Sequence, residues 1–298
     1  MTSFKALMQR EWLQHRTGWK LLALLPLGIA LLLLSVGDIQ LGDDTSAHHL
    51  GSMPLPLAVM SMVATLVVVL GILWLASLFQ VSGLARRDHQ DRSIEFWLSL
   101  PTGHAQSLAA PLVVHLLLVP LAALGVGLVG GVLVSLVLVA RTSGVMDWIA
   151  LPWAPVLASI VALAARLAVG IPLATLWLLP LILLAVLANA GFKRWGLPVL
   201  GVAFGLVNLV LVQAFGQPLL YQWVARMFGQ ARRALWAAEG GVSIETPADM
   251  LSALHSIPGW LLTDAGEALA DLASPAFLLG LGVSVVCFLA LVAWRRRG

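Results

Sequence analysis

The chain has 298 residues, of which 60% are apolar and only 10% charged, with a mean hydropathy of +0.96 and a formal net charge of +3. Soluble domains carry about a quarter charged residues, so this composition excludes a soluble enzyme and names lipid as the solvent. A single cysteine, Cys287, excludes an internal disulfide framework and any multi-cysteine zinc or iron–sulfur site, and the basic residues are dispersed among apolar runs instead of forming a nucleic-acid-binding domain.

Residues 1–18 place Phe4, Leu7, Met8, Glu11 and Trp12 at helical spacing beside Lys5, Arg10 and Arg16, which predicts an amphipathic helix in the membrane interface. It feeds a first span over 19–36. That run has no small-residue cleavage site and is followed by further apolar runs, so it reads as a retained helix and not as a signal peptide. Residues 37–53 hold Asp38, Asp43, Asp44 and the His48-His49 pair and read as an exposed turn, with the histidines polar and not metal ligands. A second span is predicted over 55–85 and a third over 107–139, kinked at Pro111 and Pro120. The stretch 149–170 is apolar but carries Arg166 among Pro152, Pro155 and Pro172. A charge at the bilayer centre costs about 2.5–3.5 kcal/mol, which favours a broken or interfacial entry to a fourth span over 172–190.

A fifth span is predicted over 197–215 and a sixth over 275–294. Between them lies a long connection, 216–274. Leu220, Trp223, Val224, Met227, Phe228, Ala231, Leu235 and Trp236 recur there every three or four residues as one apolar helix face, and Thr246-Pro247 marks the start of a second helix. The expected fold is therefore an all-α integral membrane protein, 1–298 forming a single transmembrane domain of six spans. With both termini on the cytoplasmic side, twelve of the seventeen basic residues fall inside: Lys5, Arg10, Arg16, Lys20, Arg86, Arg87, Arg92, Lys193, Arg194, Arg295, Arg296 and Arg297. That is the bias of the positive-inside rule.

Residues 86–101, RRDHQDRSIEFWLSLP, join the second and third spans. On a helix starting near Asp88, Ile94, Trp97 and Leu98 share one face while Asp91, Arg92 and Glu95 occupy the others. So short a helix cannot bury its apolar face within a loop. Either a soluble partner docks on it or it lies on the membrane surface. The segment DRSIEFWLSLP at 91–101 resembles the D-R-S-I-L-F-W-K-S-L-P signature of bacterial ABC-2 type permeases, the membrane subunits of ABC exporters. It departs at Glu95 and Leu98, where the family often has apolar and basic residues. The opening ALMQREWLQHRTGW is similar to the family's amphipathic entry helix, and residues 274–297 to its last span with a basic tail.

The resemblance implies a permease in the bacterial cytoplasmic (inner) membrane that pairs with a second permease, a copy or a related chain, and with two cytosolic ATPase subunits that hold ATP and magnesium. Residues 86–104 would be the cytoplasmic coupling segment, with Arg87, Asp88, Asp91, Arg92, Ser93, Ile94, Glu95, Phe96, Trp97, Leu98 and Pro101 seated against the ATPase. Lys193 and Arg194 would form a smaller second contact. The chain itself has no GxxxxGK[ST] phosphate loop, no HExxH and no GxSxG, so no catalytic residue, cofactor or metal ligand is assigned to it. The competing readings are a secondary transporter, which calls for an inverted repeat and buried ions, and an intramembrane enzyme, which calls for paired carboxylates or a histidine cluster.

His115, Asn189, Asn208 and Gln213 fall inside predicted spans. They are candidates for a polar translocation path, against the plainer use of helix-to-helix hydrogen bonding. Gly125, Gly127, Gly130 and Gly131, and the Gly201 to Gly205 pair, supply small-residue faces expected to pack helices closely within the subunit.

Overall fold

The structure, a computed structural model, describes residues 3–37, 54–84, 103–236 and 249–297. Lipid offers no water to unpaired backbone groups, so an apolar chain of this kind satisfies its amides within helices. The helices are α1 (Ser3–Val36), α2 (Pro54–Ser82), α3 (His104–Thr142), α4 (Val145–Ile149), α5 (Trp153–Phe192), α6 (Gly196–Phe215), α7 (Leu219–Leu235), α8 (Asp249–Ala270) and α9 (Pro275–Arg297). Among the described residues no strand occurs. Among the described residues five helical stretches are long and apolar enough to cross a membrane: Phe4–Val36, Pro54–Ser82, His104–Thr142, Trp153–Phe215 and Pro275–Arg296. The chain is a multi-pass, all-α membrane protein.

The stretch Trp153–Phe215 is bent at the 3-10 turn Lys193–Trp195 into α5 and α6. Lys193 has φ 53°, the one positive φ outside glycine among the described residues, and so reverses the chain at some backbone cost. α1 runs unbroken from Ser3, so the expected interfacial and spanning pieces are one helix. α5, at 40 residues, is also continuous and about 60 Å long. The expected break before 172 is absent because Arg166 is buried inside the bundle. Its Nε donates to Asp264 Oδ2 of α8 at 2.6 Å, and its Nη1 donates to the Ala234 carbonyl at the end of α7 at 2.7 Å. A buried charge that is paired and hydrogen-bonded does not need to break the helix.

α2 and α3 pack antiparallel through glycine. A Cβ on Gly131 would lie 3.0 Å from the Met62 carbonyl oxygen, and one on Gly127 would lie 2.9 Å from Leu66 Cδ1, while Gly130 faces Leu27 of α1. Among the described residues nothing lies within 4 Å of that position at Gly125, Gly201 or Gly205, so the expected close packing is seen for three of the glycines and not for the Gly201 to Gly205 pair. α7 turns its predicted face onto α5, with Met227 and Ala231 buried against Leu173, Trp177 and Phe277; Phe228 and Trp236 remain exposed. The Thr246-Pro247 start signal of α8 lies outside the described residues.

Two prolines open helix carbonyls that hydroxyls then close. Pro120 cannot donate to Leu116, whose carbonyl accepts from Thr175 Oγ1 at 3.2 Å; Pro258 cannot donate to Leu254, whose carbonyl accepts from Ser159 Oγ at 2.6 Å. Further contacts gather several ends together. Asn189 Nδ2 donates to the Ser82 carbonyl at the end of α2, and Arg295 Nη1 to Ser107 Oγ at the start of α3. The end of α2, the start of α3, the last turns of α5 and α9 and the Lys193–Trp195 turn thus share one end of the bundle.

Candidate functional site

About three turns into α3 the helix widens to a π turn, Val114–Leu118, in which the Val119 amide reaches back to the Val114 carbonyl. The cause is close by in sequence: Pro120 disrupts the regular ladder, and the extra residue is absorbed just before it. π turns of this kind occur often at functional sites. This one carries His115, which is completely buried.

His115 faces α1. Glu11 and His15 stand one helical turn apart on α1 and meet it there. His115 Nε2 lies 3.6 Å and His15 Nε2 3.9 Å from Glu11 Oε2. The His115 ring packs edge-on to Trp19 with centroids 5.2 Å apart and at 5.4 Å from His15. Glu11 is buried and His15 partly so. Glu11 Oε2, both ring nitrogens of His115 and Trp19 Nε1 are buried with no hydrogen-bond partner among the described residues. Buried polar atoms are almost always satisfied, so this concentration is unusual. Two imidazoles and a carboxylate converging on one point can share a proton or hold a cation.

The residues expected to line a path do not come together. His115 belongs to the cluster on α1. Asn189 is buried and holds the end of α2, and Asn208 Oδ1 accepts from the Tyr221 amide at the start of α7. Gln213 is exposed. Asn189 and Asn208 thus each tie one helix to another. Arg87, Asp88, Asp91, Arg92, Ser93, Ile94, Glu95, Phe96, Trp97, Leu98 and Pro101 lie outside the described residues, as does the His48-His49 pair. Lys193 and Arg194 are exposed on their turn, the Arg194 guanidinium lying 5.6 Å from the centre of the Trp195 ring.

A cavity of about 430 Å³ opens between α3, α5 and α9, lined by Leu112, Leu116, Leu179, Val285 and Phe288 among others. Its two hydroxyls, Thr175 and Ser284, are spent on the carbonyls of Leu116 and Gly280, so the walls offer apolar contact only.

The sequence assigns Glu11 to an interfacial helix, yet it lies on continuous α1 and packs against α3. The signal was present: Glu11 stands among Phe4, Leu7, Met8 and Trp12 on an apolar face, with His15 at i+4. Comparison of the chain with family models, with curated proteins and with solved structures finds no match.

Proposed function

We propose that the chain is the permease subunit of an ATP-driven ABC exporter, with six spans, both termini cytoplasmic, and the ATPase carried by a separate cytosolic subunit. One observation supports this above the others. The connection bearing DRSIEFWLSLP leaves the end of α2 and enters α3 at the same end of the bundle as the Lys193–Trp195 turn and the arginines of α9. A charged connection whose sequence predicts a helix with an apolar Ile94, Trp97 and Leu98 face, joined to the bundle at the end that carries Lys193, Arg194 and Arg295, would offer a docking surface to a soluble protein. A packed helix seated in such a partner transmits its movement as a unit. Counting α5 and α6 as separate spans gives the six of this reading, and the positive-inside bias supports a cytoplasmic side for that end.

The test is affinity purification of the full chain from its native membranes. An ABC ATPase should co-elute, and Trp97→Ala and Asp91→Ala should each reduce the amount recovered. Recovery of the intact chain with no ATPase overturns the reading. A carrier driven by an ion gradient is the competing reading, favoured by Glu11 buried against His115; transport abolished by Glu11→Gln in a chain that binds no ATPase would select it.

A further inference from the structure

The geometry points to a divalent transition-metal site built by Glu11, His15 and His115, joining α1 to the π turn of α3. One carboxylate oxygen and one nitrogen from each ring lie within 4.8 Å of one another. Zinc-class ions hold nitrogen and carboxylate oxygen at about 2.0–2.2 Å, so ligand atoms around a tetrahedral ion stand about 3.3–3.4 Å apart. The observed 3.6 Å and 3.9 Å contacts would have to close by about 0.2–0.6 Å to reach that spacing. A plain imidazole–carboxylate hydrogen bond would instead draw the same atoms to about 2.7–2.9 Å. The observed distances exceed those of that bond and are compatible with a shared ion.

Three further observations agree. Glu11 Oε2 and both nitrogens of His115 are buried without a hydrogen-bond partner among the described residues, and a metal bond would satisfy two of these atoms at once. His115 sits on a π turn, a distortion that re-aims its side chain towards α1. Two imidazoles and one carboxylate suit zinc, cobalt or nickel, whereas magnesium and calcium prefer all-oxygen shells. Three protein ligands leave one tetrahedral position for water, reached from the partly exposed His15 side. The site is independent of the exporter reading: it depends on α1 and α3 alone.

The experiment uses the full chain, tag-free, in detergent micelles, stripped with chelator and titrated with Co²⁺. Expected is one equivalent bound, with visible d–d absorption of four-coordinate strength that Zn²⁺ displaces. His115→Gln and Glu11→Gln should each weaken binding by at least about 100-fold, since even outer-shell partners are worth 10- to 100-fold. A His48→Ala/His49→Ala variant should bind like the parent. Should the variants not fold, X-ray absorption of the zinc-loaded parent decides: two imidazole shells and a light-atom distance near 2.0 Å are expected. No stoichiometric binding by the parent, binding unchanged in the folded Glu11 and His115 variants, or an absorption spectrum lacking imidazole overturns the site.

Discussion

Thr175 Oγ1 donates to the Leu116 carbonyl at 3.2 Å, the carbonyl from which Pro120 withholds an amide. A hydroxyl on one helix thereby replaces a missing backbone donor on another, one turn from His115. Thr175→Val keeps the side-chain shape and removes the donor. It should lower stability by about 1–3 kcal/mol, the cost of a buried unsatisfied acceptor. Thermal unfolding in detergent measures it. In a Pro120→Ala background, where the amide is restored, the same substitution should cost measurably less; equal costs in both backgrounds would refute the link.

Arg166 binds Asp264 and the Ala234 carbonyl from within α5. Arg166→Leu leaves the Asp264 carboxylate buried and alone, and should cost about 3–5 kcal/mol. Asp264→Leu should cost a similar amount. The double variant should be more stable than either single one, because no charge is then stranded. Unfolding curves of the three proteins check the order, and a double variant less stable than both singles would contradict it.

The glycine contacts predict a split response. Gly131→Ala and Gly127→Ala push a methyl onto the backbone and side chain of α2 and should destabilise the protein by about 1–3 kcal/mol, as overpacking does. Gly201→Ala and Gly205→Ala meet nothing among the described residues, and in a helix interior alanine is favoured over glycine by about 1 kcal/mol. They should leave the melting temperature of the detergent-solubilised chain unchanged or higher. A loss at Gly201 comparable to that at Gly131 would show that the glycine face of α6 is covered.

Orientation can be read through the single cysteine. Cys287 is buried, so the parent chain should label poorly with an impermeant maleimide. Arg194 and Gln217 are exposed at opposite ends of α6. With the Lys193–Trp195 turn cytoplasmic, Gln217→Cys should label in intact cells and Arg194→Cys only after lysis. The reverse pattern would invert the topology.

Much of the helical plan was legible because lipid forces it: long apolar runs with few charges have one available structure, and the turn near Lys193 carried its own basic and glycine signals. What stayed hidden depended on partners far away in sequence. Arg166 looked like a barrier to α5 because its charge was visible and Asp264, almost a hundred residues on, was not assigned to it. His115 reads as a polar residue within a span and Glu11 as part of an interfacial segment, and nothing local says that α1 continues as one helix and delivers that carboxylate to a widened turn of α3. The Gly201 to Gly205 spacing misled for the converse reason: a small-residue pair states that close approach is allowed, not that a neighbour is there.

The length of α5 has a mechanical consequence. Asn189 clamps it to α2 at one end of the bundle, and Arg166 clamps it to α7 and α8 about 35 Å further along the same axis. It is a beam fixed at two points, with Pro172 and Pro180 as its softest cross-sections in between. If the beam stays straight, a tilt of about 5° at the Asn189 clamp carries the Arg166 clamp sideways by about 3 Å. That exceeds the 1–2 Å helix shifts by which packed interfaces switch. A small push at one face of the bundle would therefore be delivered, magnified, to the pair of helices at the other.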